Sequence, residues 1–257
     1  MTTPELLVLG VFGLMIGSFL NVCIARVPAA ESIVAPGSRC PQCGTPIRWS
    51  DNIPLLSYLW LSGRCRACRA AISMRYPAVE FLTAAMFVTQ GLVVGDVGVW
   101  LAARLVFVAL LIALAAIDLE TFRLPNVMTI SGTCVGLVCS VAAPPGLRDA
   151  VLGAVCGAGL LLAIRWAWLK MTGTDAMGLG DVKMLGMIGA FLGWQQVWLV
   201  LLLSTIAGAA VGVAMIARGS GTGRTRLPFG VFLALGAGIA SVVGHELLTW
   251  YLGFVLN

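Results

Sequence analysis

Long apolar runs constrain the fold of this chain more than any other feature of its sequence. Eight segments are apolar over most of their length: 5–24, 77–95, 97–117, 126–143, 149–170, 181–193, 195–216 and 228–254. A bilayer core about 30 Å thick requires about 20 apolar residues in a helix, and most of these runs have that length. The runs are continuous rather than alternating, which excludes a membrane β-barrel. The sequence therefore predicts an all-α polytopic membrane protein with about eight transmembrane helices.

Composition supports this fold class, since 60% of the 257 residues are hydrophobic and only 11% are charged. A soluble domain carries roughly 25% charged residues. The sixth run, 181–193, is short for a full span, so a tilted or re-entrant segment is the alternative there. Glycines four residues apart predict close helix packing at three places: Gly153 and Gly157, Gly189 and Gly193, and Gly208 and Gly212.

Basic residues lie almost entirely on one side of the predicted membrane. With the N-terminus outside, thirteen of the sixteen fall in one set of loops: Arg26, Arg39, Arg48, Arg64, Arg66, Arg69, Arg75, Arg123, Lys170, Lys183, Arg218, Arg224 and Arg226. The opposite loops hold only Arg148. Because cytoplasmic loops carry the excess of Lys and Arg, the basic side is predicted to be cytoplasmic. The net charge of +5 therefore reflects topology and does not indicate nucleic-acid binding.

Residues 26–76 form a polar, basic, proline-containing loop that is predicted to face the cytoplasm. The loop contains two C-x-x-C motifs, Cys40 with Cys43 and Cys65 with Cys68, separated by 21 residues. Two such turns can complete a tetrahedral site in which four thiolates hold a structural Zn²⁺. A pair of disulfides is the alternative, and a reducing cytoplasm disfavours it. We expect metal binding to supply much of the folding energy of this loop.

Two aspartates lie where apolar runs meet polar flanks on the same predicted face. Asp118 closes the third run and Asp181 opens the sixth. An ionisable group at that depth is costly and indicates function. Two adjacent carboxylates share one proton, so one can act as base and the other as acid in hydrolysis. The alternative is that both are loop carboxylates paired with Arg123 and Lys183.

Other polar residues near this face have weaker roles in the prediction. Gly178 and Gly180 precede Asp181, and glycine permits backbone angles closed to other residues and close passage of a substrate strand. Glu80, early in the second run, can join the polar cluster. The single histidine, His245, lies on the outer half of the last run, which disfavours a Ser–His or Cys–His nucleophile.

A series of short motifs runs along nearly the whole chain besides the cysteine pairs and Asp118. The motifs are Gly17-Ser-Phe-Leu-Asn-Val22, Arg26-Val-Pro28, Asp51-Asn-Ile-Pro-Leu-Leu-Ser57, Ile72-Ser-Met-Arg-Tyr-Pro77, Glu80-Phe-Leu-Thr83, Gly178-Leu-Gly180-Asp181 and Leu227-Pro-Phe-Gly230. Their order resembles that of the bacterial type IV prepilin leader peptidases, which also process type II secretion pseudopilins. A lone G-x-G-D motif carries little weight, whereas this ordered set is highly specific.

The resemblance implies an aspartic peptidase whose catalytic residues match Asp118 and Asp181, with Gly178, Gly180 and Lys183 as supporting motif residues. It implies a prepilin or pseudopilin substrate, cut after a leader glycine at the cytoplasmic face of a bacterial inner membrane. Members with the four-cysteine loop also methylate the new N-terminal amine, with S-adenosylmethionine as donor. The resemblance therefore favours a bifunctional enzyme, and a peptidase without methyltransferase activity is the alternative.

The predicted domains are a first transmembrane helix at 1–25, a cytoplasmic zinc-binding domain at 26–76 and a transmembrane peptidase domain at 77–257. The expected partners are the precursor substrate and membrane lipid, with no nucleic acid. A transporter with both aspartates in an ion path is disfavoured, because transporters place such groups near the bilayer midplane. A non-catalytic scaffold that docks a cytoplasmic partner through the zinc loop is the third class, and it keeps its function when either aspartate becomes asparagine.

Overall fold

The computed structural model describes residues 1–175, 177–220 and 225–255, and its ordered elements are helices. In chain order the helices are α1 (Thr3–Arg26), α2 (Leu56–Trp60), α3 (Arg75–Val94), α4 (Val99–Thr121), α5 (Asn126–Cys139), α6 (Leu147–Thr172), α7 (Leu179–Leu192), α8 (Trp194–Ala217) and α9 (Phe229–Val255). A 3₁₀ turn, Trp49–Asn52, precedes α2. Within these residues β-structure is limited to two isolated bridges, both in the segment that connects α1 to α3. The predicted all-α fold class is confirmed.

Six of the described helices are long and apolar enough to cross a membrane, namely α1, α3, α4, α6, α8 and α9. The helices α5 and α7 have 14 residues each. Each is therefore about 21 Å long, which is less than the bilayer core of about 30 Å. The predicted run 126–143 is helical only to Cys139, because the prolines at 144 and 145 disfavour helix in the residues before them.

Gly193 separates the two helices whose boundary was weakest in the sequence. It follows α7 and precedes α8, with φ +83° and ψ 167°, a conformation that only glycine adopts without strain. A Cβ atom at this position would also lie 3.1 Å from Cβ of Pro145. The chain therefore turns sharply here instead of continuing as one long helix.

The chain forms two compact units, residues 1–97 and the described residues from 98 onward. In the first unit, α1 crosses α3 through Gly13 and Gly17. A Cβ atom at Gly13 would lie 2.6 Å from Cα of Ala84, and one at Gly17 would lie 2.6 Å from Cα of Glu80. The two backbones can approach this closely only because both positions lack a side chain.

The short helix α7 lies at the centre of the second unit and packs against α4, α5, α6, α8 and α9. Its residues from Val182 to Phe191, apart from Lys183, are buried. Gly189 meets Gly153 of α6 so closely that a methyl group at either would overlap a main-chain carbonyl group of the other. The predicted close packing is therefore confirmed at Gly153 and Gly189, whereas Gly208 makes ordinary contact distances. Because protein surrounds α7, it does not need the length of a lipid-exposed span.

Candidate active site

Asp118 lies in the last turn of α4, and only 5% of its surface is exposed. The helix ends three residues later, where Phe122 adopts a left-handed conformation and its N–H donates to the carbonyl oxygen of Asp118 at 3.0 Å. The loop that follows brings Leu124 back beside the end of α4 before α5 begins at Asn126. A short turn therefore places the carboxylate and the next helix at the same end of the unit.

Asp181 lies in the first turn of α7 and is half-buried. Its surroundings join those of Asp118 at Leu124: a Cβ atom at Gly180 would lie 2.9 Å from Cβ of Leu124, and one at Gly230 would lie 3.1 Å from Cδ1 of Leu124 and 2.8 Å from Oδ2 of Asp118. The two residues, 63 positions apart in sequence, are brought together because α7 packs inside the unit with its N-terminus at the level of the α4 C-terminus. The structure therefore unites the aspartates that the sequence analysis singled out.

Neither carboxylate is neutralised by the basic residues that formed the alternative interpretation. Neither aspartate has an ion pair among the described residues, where Arg66 pairs with Asp51 and Arg165 pairs with Asp175. Lys183 instead donates its Nζ hydrogen to Oδ1 of Asn126 at 2.7 Å. The alternative pairing of the aspartates with Arg123 and Lys183 is absent from the described residues, and Lys183 links the start of α7 to the start of α5.

The glycines of the G-x-G-D motif matter because they lack side chains, and their backbone angles are ordinary. Gly178 has φ −69° and ψ 144°, and neither it nor Gly180 has a positive φ. The expectation of backbone angles closed to other residues is therefore wrong at both positions. A Cβ atom at Gly180 would lie 2.9 Å from Cβ of Leu124, and one at Gly178 would lie 3.7 Å from Oδ2 of Asp181. The absent side chains let Leu124 pack in and leave room beside the carboxylate.

Gly230, the second residue of α9, completes the site. A Cβ atom there would lie 2.8 Å from Oδ2 of Asp118 and 3.1 Å from Cδ1 of Leu124. Among the described residues, Oδ2 of Asp118 has no hydrogen-bond partner. Gly230 appeared in the sequence only within a motif, and no local signal connected it or Leu124 to Asp118.

The four cysteines of residues 26–76 converge on one point. Their Sγ atoms all lie within 4.8 Å of one another, and those of Cys40 and Cys68 are 3.9 Å apart. Tetrahedral Zn²⁺ with Zn–S bonds of about 2.3 Å requires sulfur atoms about 3.8 Å apart. The cluster therefore fits a structural tetrathiolate site.

The two cysteine turns have matching backbones. The N–H of Gly44 donates to the carbonyl of Cys40 at 2.9 Å, and the N–H of Arg69 donates to that of Cys65 at 3.0 Å. Gly44 and Arg69 both have positive φ, 70° and 62°. Each turn is flanked by one of the isolated bridges, Arg39 with Pro46 and Arg64 with Ala71. Such paired turns are typical of metal-binding ribbons, in which each supplies two ligands.

Local hydrogen bonds prepare part of this cluster for a cation. The hydroxyl and main-chain amide of Thr45 lower the pKa of Cys43 to about 6. Against the lowering effect of the Ala70 amide, burial and the adjacent thiols raise the pKa of Cys68 to about 11. A bound metal deprotonates all its cysteine ligands. Cys40 is the only buried residue among 27–76, all of which the structure describes, so this loop lacks an apolar core.

Two polar contacts fix the remainder of the loop. The guanidinium of Arg66 donates to both carboxylate oxygens of Asp51, at 2.8 and 2.6 Å, and holds the pKa of Asp51 below its usual range. The N–H of Leu55 donates to Oε2 of Glu80 at 2.8 Å. Glu80, which the sequence offered as a possible member of the polar cluster, thus binds the loop of its own unit.

Two protein families match most of the chain. Residues 11–94 match the family described as Bacterial Peptidase A24 N-terminal domain, and residues 105–213 match the Type IV leader peptidase family. The first match contains the four cysteines and the second contains both aspartates.

Several curated proteins named prepilin leader peptidase/N-methyltransferase are similar to the chain. The protein of Aeromonas salmonicida (strain A449) is 40% identical over 271 residues, covering 95% of this chain and 93% of that protein. The Pseudomonas aeruginosa protein is 37% identical, with 94% and 91% covered. The Myxococcus xanthus (strain DK1622) protein is 44% identical over 212 residues, with 80% and 62% covered. No solved structure matches significantly.

Proposed function

Because the chain belongs to the type IV leader peptidase family, we propose that it removes the leader peptide of type IV prepilins or type II secretion pseudopilins and methylates the new N-terminus. The relatives carry both activities in their name and align over nearly the whole chain. One structural observation supports the peptidase activity above all others. Asp118 and Asp181 lie at the same end of the helices around Leu124, and neither has a basic partner among the described residues.

The proposed hydrolysis uses the two aspartates as a base and an acid. The ionised carboxylate takes a proton from a water molecule, whose oxygen attacks the carbonyl carbon of the scissile peptide bond. The protonated carboxyl gives its proton to the carbonyl oxygen as the tetrahedral intermediate forms. Collapse of this intermediate breaks the C–N bond: the nitrogen takes the proton now held by the first carboxyl, and a hydroxyl of the intermediate gives its proton to the second carboxylate as the C=O bond re-forms. Asp118 and Asp181 end with their single shared proton restored.

The surroundings of the pair suit a peptide backbone. Gly178 leaves space beside Asp181, and an extended substrate segment can pass there. The nearly complete burial of Asp118 excludes bulk water from one side of the pair, which strengthens electrostatic interactions in the transition state. These features favour cleavage at the membrane edge, where an apolar substrate helix begins.

S-adenosylmethionine is the proposed methyl donor. Its sulfonium would supply an electrophilic methyl group for the freed N-terminal amine. This reaction needs the neutral amine, so a group that accepts a proton must lie near the bound N-terminus. A peptidase that releases an unmethylated pilin is the alternative, and product mass distinguishes the two.

We propose a structural Zn²⁺ at Cys40, Cys43, Cys65 and Cys68. Four sulfur ligands leave no open position, so this metal takes no part in hydrolysis. It would hold together residues 26–76, which lie between the first transmembrane helix, at 1–25, and the peptidase domain, at 77–257. The support is the spacing of the four sulfur atoms and the absence of an apolar core in that loop.

The proposed location is the cytoplasmic membrane of a bacterium, with residues 26–76 and both aspartates on the cytoplasmic side. The distribution of basic residues supports this orientation. Protease added to sealed inside-out vesicles is expected to cut within 26–76, whereas right-side-out vesicles protect the loop. Cleavage only in right-side-out vesicles would reverse the orientation.

A cleavage assay tests the proposed function. The purified protein is incubated with a prepilin, with and without S-adenosylmethionine, and the product is weighed by mass spectrometry. We expect leader loss in the wild type, an added methyl mass with the donor, and no cleavage by Asp118→Asn or Asp181→Asn. Asp175→Asn is the matched control, because Asp175 is a surface carboxylate paired with Arg165. Cleavage that persists in both site variants would favour a different catalytic mechanism, and a protein that supports assembly without cleaving would be a scaffold.

A further inference from the structure

The short helix α2 presents an apolar face outward. Leu56, Leu59 and Trp60 are 60%, 71% and 76% exposed. Their i, i+3 and i+4 spacing places them side by side on one face of the helix. The less exposed residues of α2 are Ser57 and Tyr58, and the Tyr58 hydroxyl packs against Gly63. A helix exposed to water normally has the reverse arrangement, so α2 requires an apolar environment outside the protein.

Hydrogen bonds hold α2 at the end of two membrane spans. The N–H of Leu55, which precedes α2, donates to Oε2 of Glu80, and Glu80 is the sixth residue of α3. Five residues of helix rise about 8 Å. Nδ2 of Asn21 in α1 donates to the carbonyl of Tyr76 at 3.1 Å, which fixes the start of α3 beside the last turns of α1. Because α1 and α3 are both candidate spans, α2 begins at the depth where the hydrocarbon core gives way to headgroups.

The charge around α2 matches an anionic surface. From 52 to 79 the sequence has no acidic residue and four arginines, Arg64, Arg66, Arg69 and Arg75. Asp51, just before this segment, is neutralised by Arg66. Tryptophan and arginine are the residues that anchor segments at a membrane interface, through an amphipathic ring and through lipid phosphates.

We propose that α2 docks in the headgroup region of the membrane leaflet beside α1 and α3. Leu56, Leu59 and Trp60 insert among the lipids, and the exposed Arg64 and Arg69 face lipid phosphate groups. The metal-binding loop is thereby held flat against the membrane instead of projecting freely from it. This inference depends on the membrane-spanning helices and is independent of the catalytic mechanism.

Fluorescence quenching of Trp60 tests the docking. The full-length protein is reconstituted in vesicles of phosphatidylcholine and phosphatidylglycerol, with or without bromine on the upper acyl chain. The chain has eight tryptophans, so the emission of Trp60 is obtained by subtracting the spectrum of Trp60→Phe from that of the wild type. We expect brominated lipid to quench the emission of Trp60 completely and aqueous acrylamide to leave it unchanged. Trp198→Phe is the control, because Trp198 is 52% exposed on the candidate span α8 and should report lipid contact.

Two outcomes would overturn the proposal. In the first, the Trp60 difference persists in brominated lipid and is quenched by acrylamide, so α2 faces water. In the second, protection from acrylamide appears only after a prepilin is added, so the apolar face belongs to the substrate. A second variant, Leu59→Ser, removes part of the same exposed face, and we expect it to restore acrylamide quenching of Trp60. Because the docking is measured by fluorescence and not by cleavage, a failure of the docking proposal is distinguishable from a failure of the proposed peptidase activity.

Discussion

At the scale of single residues, absent side chains shape the candidate site as much as present ones do. Gly180 and Gly230 flank Leu124 from two sides, and Gly230 also approaches Asp118. Among the described residues, the buried Oδ2 of Asp118 has no hydrogen-bond partner. A buried acceptor left unsatisfied costs stability, and proteins tolerate this chiefly where function requires it.

Gly230→Ala is expected to impair cleavage without unfolding the protein. The added methyl would lie 2.8 Å from Oδ2 of Asp118, so the carboxylate must move. A displacement of about 1 Å at a reacting group can reduce turnover by about 100-fold. Gly238→Ala is the matched control on the same helix, since no heavy atom lies within 4 Å of a Cβ atom there. Equal kcat values for the two variants in a prepilin cleavage assay would contradict this role for Gly230.

The aspartates were predictable from sequence, whereas the residues around them were not. Asp118 and Asp181 stood out because charge at the edge of an apolar run is costly, and that cost is visible locally. Gly230 touches the site only because α9 packs beside the end of α4, which is a long-range consequence of folding. Leu124 reaches the site through the turn that follows α4, and nothing in the local sequence indicated the path of that turn. The G-x-G motif was recognised, but its backbone angles were predicted wrongly. Glycine also occurs where the backbone is ordinary and a neighbouring group needs the room that a side chain would take.

At the scale of helices, the site depends on the position of α7. Gly153→Ala on α6 is expected to destabilise the protein, because the methyl would overlap the main-chain carbonyl of Gly189. Forcing a methyl into a packed contact costs about 1–3 kcal/mol. Gly159→Ala, on the same helix with nothing within 4 Å, is expected to be neutral or slightly stabilising. Thermal unfolding in detergent measures the difference, and equal melting temperatures would show that α6 and α7 do not pack closely.

The hydrogen bond between Lys183 and Asn126 is expected to fix the position of α7 along its axis relative to α5. Removing either partner, as in Lys183→Met or Asn126→Ala, loses a bond to a charged donor worth about 1.5 kcal/mol. That loss corresponds to about tenfold in kcat if it falls on the transition state. The double variant should be no worse than either single one, and Asn126→Asp should retain activity because it keeps the acceptor. Strictly additive losses in a cleavage assay would show that the two residues act separately.

The extent of each helix was less predictable than its existence. All eight apolar runs form helices, because periodicity and hydrophobicity are properties of the local sequence. The lengths of α5 and α7 depend instead on burial, since a helix enclosed by protein need not match the bilayer. The helix α2 was not predicted, because the apolar run that contains it, 53–61, is too short for a membrane span and lies inside an otherwise polar loop.

At the scale of the whole molecule, each of the two compact units contains a different candidate site. Both aspartates lie in the second unit, and the four cysteines lie in the first. Helix packing stabilises the second unit, whereas residues 27–76 contain one buried residue, Cys40, and therefore depend on other forces. A small segment without a core generally needs a metal, a disulfide or a partner to fold.

Loss of the metal is therefore expected to unfold one segment and not the whole protein. Cys43→Ser and Cys68→Ser should reduce bound zinc from one ion per chain to none, measured by elemental analysis of the purified protein. Hydrogen exchange should then speed up within 26–76, because zinc supplies folding energy there, and stay unchanged in α4 to α9. Cys134→Ser is the control, since this cysteine lies outside the cluster on α5. Full zinc content in the cluster variants, or unchanged exchange after its loss, would mean that other contacts, such as Arg66 with Asp51, hold the loop together.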